Sequence, residues 1–218
     1  MDAMIFDLDG TVIDTIDDLA ELTNCVLEEY GMPSHTRAEI QGYVGNGALA
    51  LMYQAVPEGT PQAVTDEALA RWKALNPQFT KRSRAYPGMQ ETLLALKERG
   101  VSLAVLSNKF DAGVVAMMDA KLPGIFEIAR GERPDTPRKP NPKGLLDVMA
   151  ALGAKPEDCA YVGDSPGDMQ VAKNAGCKAV GVSWGYRQVT ELKAVGADVI
   201  IDAPEQLLKI AGESDGPA

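Results

Sequence analysis

The sequence predicts an α/β fold, a Rossmann-like parallel-sheet core with a small all-helical cap domain inserted after the first strand. Short apolar runs alternate with stretches of helical spacing over most of the chain, and one long segment shows helical patterns alone. Strands that alternate with helices are joined by right-handed crossovers and form a parallel sheet. We therefore expect a core of residues 1–14 and 81–218, and a helical cap domain of residues 15–80.

Six short apolar runs predict the strands of the core. They cover residues 3–8, 102–106, 125–129, 160–162, 179–182 and 199–201. Helical spacing or composition marks the segments between and after them, at residues 90–99, 112–120, 143–152, 168–175 and 205–210. In the cap, Thr36 and Glu39 have the spacing of a capping box, and residues 60–75 form a second predicted helix.

Charge and composition limit the partners of the chain. Acidic side chains outnumber basic ones by 31 to 21, and the formal net charge is −10. Such a surface repels the phosphate backbone of nucleic acids, so we expect no nucleic-acid partner. No apolar run reaches the length of a membrane span, so we expect no membrane partner. Three cysteines without a C-x-x-C pair, and no signal peptide ahead of Asp7, predict a cytoplasmic protein.

Acidic residues follow the first and fourth predicted strands, at the sheet edge where open α/β folds bind ligands. Asp7 and Asp9 are two residues apart on an extended chain, so their carboxylates point to the same side. Like charges so close in a low-dielectric cleft need a cation or a shared proton, and Asp164 can complete a set of oxygen ligands that suits Mg²⁺. The sequence therefore predicts a magnesium site at Asp7, Asp9 and Asp164. A helix-capping or turn role for these acids is the alternative.

Polar residues after two further strands are candidates for binding phosphate. Ser107 and Asn108 stand at a strand-to-helix junction, where a hydroxyl, an amide and free backbone N–H groups can hold phosphate oxygens. Both residue types are also common helix N-caps. Lys139 lies between Arg138 and Pro140 in a proline-rich stretch. Held rigidly near the acids, its ammonium would offset phosphate charge, whereas an ordinary surface lysine is solvated.

Four motifs in this order resemble those of the haloacid dehalogenase superfamily. The first is the segment Asp7-Leu8-Asp9-Gly10-Thr11 after a short hydrophobic strand, and the second is Ser107. The third is Lys139 before a proline, and the fourth is the acidic pair Asp164 and Asp168. The chain is similar to phosphatases of that family over nearly its whole length. Its helical insert resembles the cap that follows the first strand in one subfamily.

Within the family, several segments resemble those of bacterial phosphoglycolate phosphatases. They are residues 42–47, 107–109, 138–142 and 183–186. Related pyrophosphatases and nucleotidases share parts of them, and Ser107 stands where the phosphoglycolate enzymes often have threonine. The resemblance implies hydrolysis of a small phosphorylated metabolite, with 2-phosphoglycolate as the first candidate substrate. Pyrophosphate, a nucleoside monophosphate and a sugar phosphate are the alternative substrates.

The resemblance also implies roles for the acidic residues. Asp7 attacks phosphorus and becomes an aspartyl phosphate, which splits one difficult displacement into two. Asp9 protonates the leaving alkoxide and then takes a proton from the attacking water. The cofactor Mg²⁺ is bound by Asp7, Asp164 and the backbone carbonyl group of Asp9.

The remaining motif residues are expected to hold the substrate. Ser107, Asn108 and Lys139 contact the oxygens of the transferring phosphoryl group. Asp168 either binds the metal through water or orients Lys139. In the cap, Gly45-Asn46-Gly47 is the candidate for substrate specificity, because glycines let the backbone approach a ligand closely. A plain loop between two cap helices is the alternative for this segment.

Three other functions fit part of this pattern. A dehalogenase of the same fold needs no acid at Asp9, and the dehalogenases of the family lack that residue. A phosphosugar mutase keeps both acids but transfers the phosphoryl group to a sugar phosphate instead of water. A receiver-like signalling module is also phosphorylated on an aspartate. In such modules that aspartate ends a middle strand, and there is no helical insert.

Overall fold

The computed structural model describes residues 1–134 and 136–212 of the chain, so the last six residues of the predicted core range lie outside it. The described residues form eight strands: β1 (Ala3–Phe6), β2 (Ile13–Asp14), β3 (Arg84–Ala85), β4 (Ser102–Phe110), β5 (Ile128–Glu132), β6 (Cys159–Gly163), β7 (Lys178–Val182) and β8 (Val199–Ile201). Six of them form one sheet in the order β5-β4-β1-β6-β7-β8, and every neighbouring pair is parallel. The predicted α/β class with a parallel sheet is confirmed.

Ten α-helices accompany these strands within the described ranges. They are α1 (Ile16–Glu29), α2 (Arg37–Tyr43), α3 (Gly47–Ala55), α4 (Gln62–Leu75), α5 (Met89–Glu98), α6 (Asp111–Lys121), α7 (Lys143–Leu152), α8 (Pro166–Ala175), α9 (Val189–Ala194) and α10 (Leu207–Gly212). Short 3₁₀ turns lie at Asn76–Gln78, Pro156–Asp158 and Pro204–Gln206. None of the helices described has the length and apolar character needed to cross a membrane.

Both faces of the sheet are covered by helices. Met4 and Phe6 of β1 join an apolar cluster with side chains of α5, α6 and α10, while Ala3 and Ile5 join a second cluster with α7, α8 and α9. This alternation explains why β1 reads as a continuous apolar run, since each of its residues is buried on one face or the other. The strand that carries the first motif is therefore held firmly at the centre of the core.

Helices α1 to α4 form a third apolar cluster of their own, and we call them the cap helices. Its buried members include Ile16, Leu22, Val26, Ile40, Met52 and Trp72. The predicted capping box is confirmed at the start of α2. The Glu39 backbone N–H donates to Thr36 Oγ1 at 3.3 Å, and the Thr36 N–H donates to the Glu39 carboxylate at 2.8 Å.

The two connections between the cap helices and the core run side by side. Strand β2 leaves the core and strand β3 returns to it, and the two pair in an antiparallel register, Ile13 opposite Ala85. Next to this pair, the buried Asp18 of α1 accepts a hydrogen bond from the Ser83 backbone N–H at 2.6 Å and another from its hydroxyl at 2.5 Å. At this point the cap helices are joined to the core by a short two-stranded ribbon and a buried carboxylate.

Three elements differ most from the sequence-based expectation. Strand β4 runs to Phe110, four residues beyond its expected end, so Ser107 and Asn108 lie within the strand and not at a strand-to-helix junction. The strand expected at residues 125–129 is β5, which begins three residues later, because Ile125 and Phe126 pack into the core cluster ahead of the strand. Helix α8 begins at Pro166, two residues earlier than expected. Ser165 and Asp168 form a capping box there, and proline fits the first helical position because it needs no N–H donor.

Candidate active site

The predicted site residues meet at the carboxyl edge of the sheet, where β4, β1 and β6 are neighbours. Asp7 follows β1, Ser107 and Asn108 lie on β4, and Asp164 follows β6. All four are buried, with at most 9% of their surface exposed. They line a cavity between the sheet edge and the cap helices, together with side chains from both sides.

Three carboxylates form a compact group that could hold a metal ion. Asp7, Asp164 and Asp168 each offer an oxygen atom, and these atoms lie within 4.8 Å of one another. Burial, together with the neighbouring Asp168 and Asp7 carboxylates, raises the pKa of Asp164 to about 8. Burial also raises the pKa of Asp7 to about 6, although the nearby Lys139 ammonium opposes this shift. Buried carboxylates in this arrangement favour a hard cation with oxygen ligands.

The Asp164 carboxylate is fixed by its neighbours. Oδ1 accepts a hydrogen bond from the Thr11 hydroxyl at 3.1 Å, and Oδ2 accepts one from the Tyr186 backbone N–H at 2.7 Å. Gly10 has a φ of +84°, and a Cβ atom at this position would lie 2.5 Å from Asp164 Oδ2. A side chain at residue 10 would therefore fill the space beside the carboxylate, which explains the glycine in the first motif. These residues fit the presence of a small cation.

Asp168 holds the Lys139 ammonium through an ion pair. Its Oδ1 accepts a hydrogen bond from Lys139 Nζ at 2.6 Å, and its Oδ2 accepts one from the Ser165 N–H at 2.9 Å. Lys139 Nζ also lies 2.9 Å from Tyr161 Oη and 3.1 Å from Asp7 Oδ1. Burial opposes the charged form of Lys139, but the Asp168 and Asp7 carboxylates outweigh it and raise its pKa. The ion pair through Oδ1 supports a role for Asp168 in orienting Lys139, and Asp168 also belongs to the group of carboxylates that could hold a metal ion.

Asp9 faces the cavity and lies apart from the group of three carboxylates. Its Oδ1 accepts a hydrogen bond from the Thr15 hydroxyl at 2.7 Å. Lys109 Nζ lies 3.2 and 3.3 Å from the two oxygens of the same carboxylate. Among the described residues, the Asp9 side chain is not part of the potential metal group. Its predicted contribution to the metal is the backbone carbonyl group, which leaves the carboxylate available for proton transfer.

Ser107 and Asn108 have different neighbours. The Ser107 hydroxyl forms a hydrogen bond with Asp7 that lowers the pKa of that acid against the effect of burial. Asn108 bridges two loops: its Oδ1 accepts a hydrogen bond from the Lys139 backbone N–H at 2.9 Å, and its Nδ2 donates to the Gly45 carbonyl at 3.1 Å. The Asn108 side chain therefore links the cap to the loop that carries Lys139.

The predicted specificity segment lies at the rim of the cavity, but its three residues are placed differently. Gly45 and Gly47 line the cavity. Asn46 is exposed and lines a neighbouring groove beside Lys139. Gly47 has a φ of +80°, and a Cβ atom here would lie 3.1 Å from the Asn108 carbonyl oxygen. The backbone of this segment, more than the Asn46 side chain, approaches the site.

Arg187 joins the core to the same segment of the cap. Its guanidinium group donates hydrogen bonds to the backbone carbonyls of Gln41 at 3.1 Å, Gly42 at 3.2 Å and Val44 at 2.6 Å. These carbonyls lie at the end of α2, where carbonyl groups have no intrahelical partner. A cation at a helix C-terminus also interacts favourably with the helix dipole. Arg187 therefore tethers the cap segment that borders the cavity.

The structure brings three further residues to the site to which the sequence assigned no role. Lys109 has a sequence signal, since it lies two residues after Ser107 on one strand and so points to the same side. Tyr186 and Thr15 have none. The Tyr186 hydroxyl accepts a hydrogen bond from the Thr15 N–H at 2.9 Å and donates one to Asp14 Oδ1 at 3.0 Å. No local pattern predicts a contact between residues so far apart in the chain.

Comparison with known proteins gives consistent relatives over nearly the whole chain. Residues 4–182 match the sequence profile of the haloacid dehalogenase-like hydrolases. The phosphoglycolate phosphatase of Pseudomonas putida is 34% identical over 211 residues, covering 94% of this chain and 78% of that protein. That of Vibrio vulnificus is 33% identical over 214 residues, covering 94% and 93%. The crystal structure of a predicted phosphoglycolate phosphatase from Haemophilus somnus is 29% identical, with a TM-score of 0.88 over 96% of this chain and 97% of the other. The chain therefore belongs to the haloacid dehalogenase-like hydrolase family.

Proposed function

We propose that the protein hydrolyses phosphate monoesters through an aspartyl-phosphate intermediate, with 2-phosphoglycolate as its preferred substrate. The observation that carries the proposal is the pairing of two different acids at one cavity. Asp7 is buried beside Lys139, 3.1 Å from its ammonium, while Asp9 faces the cavity separately. The names of the relatives from Pseudomonas putida and Vibrio vulnificus support the choice of substrate.

The two acids divide the chemistry between them. An oxygen of Asp7 attacks phosphorus, a new O–P bond forms, and the bond from phosphorus to the ester oxygen breaks. Asp9 gives its proton to the departing alkoxide, which leaves as the alcohol. Asp9 then takes a proton from water as that water attacks the aspartyl phosphate, and Asp7 is regenerated with release of inorganic phosphate. The Thr15 hydroxyl, 2.7 Å from Asp9, fixes the carboxylate for both proton transfers.

Positive charge is needed where negative charge collects around phosphorus. The ammonium of Lys139, oriented by Asp168 at 2.6 Å, lies next to Asp7 and supplies part of it. When bound, Mg²⁺ would be held by Asp7, Asp164 and the Asp9 backbone carbonyl, and it would reduce repulsion between the nucleophile and the phosphate. Ser107, on the neighbouring strand β4, would donate a hydrogen bond to the transferring phosphoryl group.

Residues 15–80 are proposed to act as a cap domain over a core of residues 1–14 and 81–218. The cap helices supply the apolar wall of the cavity, and Arg187 and Asn108 hold the adjoining segment at its rim. A closed cap keeps water away from the first step and strengthens the electrostatic interactions inside. Gly45 and Gly47 are proposed to border the leaving group.

The test is a phosphatase assay on four substrates with purified protein: 2-phosphoglycolate, pyrophosphate, a nucleoside monophosphate and a sugar phosphate. We expect phosphate release in Mg²⁺, none in EDTA, and the highest kcat/KM for 2-phosphoglycolate. Asp7→Asn protein prepared in the same way is the control for contaminating phosphatases. A higher kcat/KM for one of the other three substrates would correct the choice of 2-phosphoglycolate. Transfer of the phosphoryl group to a sugar phosphate instead of water would indicate a mutase. No turnover of any substrate would contradict the proposed phosphatase function.

A cytoplasmic location is also proposed. Cys25, Cys159 and Cys177 are all free thiols in the structure, as expected in a reducing compartment. Fractionation of cells that express the protein at its native level tests this, and recovery from an extracytoplasmic fraction would contradict it.

A further inference from the structure

Lys109 is the cation of the cavity to which the proposed chemistry gives no task. Its side chain is 3% exposed, and Nζ lies 3.2 and 3.3 Å from the two oxygens of Asp9. An ammonium group has three N–H donors. One facing carboxylate engages at most two of them. At least one donor is therefore left without a partner among the described residues, in a cavity built to receive a ligand.

Three other cations lie close to the cavity, and each has protein partners; Arg138 pairs with Glu132 at 2.7 Å. Three protein oxygens lie within 3.1 Å of Lys139 Nζ, which matches its three donors. The guanidinium group of Arg187 spends three of its five N–H donors on backbone carbonyls of the cap, which hold it at the rim of the cavity. Lys109 differs from them because it is buried in the cavity and contacts Asp9, so it is the cation best placed to bind an anionic group of the substrate other than the phosphoryl group.

The cap helices form an apolar wall of the cavity, so a substrate meets hydrocarbon groups there and few polar ones. Its lining side chains are those of Leu19, Val44, Ala48, Leu51 and Trp72. The indole N–H of Trp72 cannot serve a ligand, because it donates a hydrogen bond to the Thr23 hydroxyl at 3.1 Å. The Trp72 ring packs edge to face with Phe110. The hydroxyl groups of a sugar would meet this wall without hydrogen-bond partners, which is unfavourable.

We propose that Lys109 binds a carboxylate on the leaving group and so selects short phosphorylated acids over uncharged esters and sugar phosphates. This inference rests on the proposed phosphatase function and names the residue that recognises the carboxylate of the substrate. Asp9, the proposed acid, must lie next to the leaving oxygen, and Lys109 contacts Asp9 directly. In 2-phosphoglycolate, one carbon separates the leaving oxygen from the carboxylate. A cation adjoining the acid suits that short spacing.

A binding experiment separates this role from catalysis. The probes are 3-phosphonopropionate, which mimics 2-phosphoglycolate without a hydrolysable bond, and propylphosphonate, in which a methyl group replaces the carboxylate. With Mg²⁺ present, calorimetry on wild-type protein should give at least about tenfold tighter binding of the carboxylate probe. Lys109→Met should abolish this preference while its affinity for propylphosphonate stays within about threefold of wild type. Lys109→Arg keeps the charge and should retain most of the preference.

Two results would overturn the role of Lys109. One is equal affinity of wild-type protein for the two phosphonates, a measurement that needs no variant. The other is a Lys109→Met variant that keeps the preference or that loses affinity for both probes alike. Kinetics with 2-phosphoglycolate and ethyl phosphate should agree, with the ratio of their kcat/KM values falling at least about tenfold in Lys109→Met. If wild-type protein hydrolyses neither ester, the phosphatase proposal fails, while the phosphonate comparison still decides the role of Lys109.

Discussion

Asp168 holds Lys139 through a contact of 2.6 Å, and neither side chain has more than 5% of its surface exposed. The carboxylate belongs to α8 and the lysine to a loop 29 residues earlier, so this contact joins the third and fourth motifs. Removing one partner of a buried ion pair leaves the other charge without compensation. The pair therefore gives a direct test of whether Asp168 orients the lysine.

Asp168→Ala should lower both activity and stability. We expect a fall in kcat/KM of similar size for every substrate, since all present the same phosphoryl group, and a loss of about 3 kcal/mol in the free energy of unfolding. Asp147→Ala is the matched control, because Asp147 pairs with Lys143 at 2.6 Å on the exposed surface, where such pairs contribute at most about 1 kcal/mol. Urea unfolding and steady-state kinetics measure the two effects. If Asp168→Ala reorders the substrates, Asp168 has another role.

Asp7→Asn should give a folded protein with almost no turnover. An amide is a poor nucleophile and a weaker metal ligand than a carboxylate, so we expect kcat to fall at least roughly 10³-fold. Circular dichroism checks the fold, and mass spectrometry checks that the asparagine has not deamidated. Activity within tenfold of wild type in such a sample would remove Asp7 from the role of nucleophile.

The affinity for Mg²⁺ should rise with pH. A carboxylate must be ionised to bind a cation, and burial raises the pKa of Asp164 to about 8. Below that pH the proton competes with the metal, so binding releases a proton. Asp7, with a pKa of about 6, is ionised earlier. We expect the association constant to rise up to about tenfold per unit between pH 6 and 8 and then to level off. Calorimetry in two buffers gives the affinity and the protons released, and equal affinities at pH 6 and 8 would exclude Asp164 as a ligand.

The backbone of the cap segment should matter more than the side chain of Asn46. Gly47→Ala introduces a Cβ atom 3.1 Å from the Asn108 carbonyl at a φ of +80°, a strain of about 1–3 kcal/mol. We expect kcat/KM to fall roughly tenfold to a hundredfold because the closed cap is disfavoured. Gly42→Ala, where a Cβ atom meets nothing within 4 Å, is the control and should be near wild type. Asn46→Ala should change kcat/KM less than Gly47→Ala does. The reverse order would mean that the Asn46 side chain reads the substrate.

Arg187→Met should loosen the cap segment without unfolding the protein. Its three hydrogen bonds to carbonyls at the end of α2 would be lost, so backbone N–H groups of residues 42–45 should exchange with solvent at least about tenfold faster. KM should rise for every substrate tested. Arg71→Met is the control, because it removes an exposed pair with Glu29 in the same helical layer. Unchanged exchange in Arg187→Met would show that the tether does not hold the segment.

The sequence was informative about the strand ends because periodicity and turn chemistry are local properties. Asp7 and Asp9 share a side of the chain for a reason that needs no tertiary structure. The groups around Asp9 could not be predicted in this way. Strand alternation predicts the side of β4 on which Lys109 points, but not its partner Asp9, which is 100 residues away in the chain.

The role of Asn108 shows the same limit. The sequence predicts a strand-to-helix junction at Asn108, where the local pattern favours phosphate binding or helix capping. In the structure its side chain connects Gly45 with the backbone of Lys139, and no local pattern predicts these contacts because both partners come from distant segments. Similarly, the strand expected at residues 125–129 was displaced because apolar residues fit the core as well as they fit a strand.

The antiparallel pair of β2 and β3 has a consequence for how this protein can change over evolutionary time. The chain leaves the sheet and returns to it at neighbouring points, Ile13 opposite Ala85. A segment bounded in this way can be lengthened, shortened or exchanged for another without rerouting any strand of the sheet, because the ends that must be joined stay where they are. The acids and Lys139 lie outside that segment. Replacing one contiguous stretch of the gene can therefore change the wall that contacts the substrate while the proposed catalytic residues are kept.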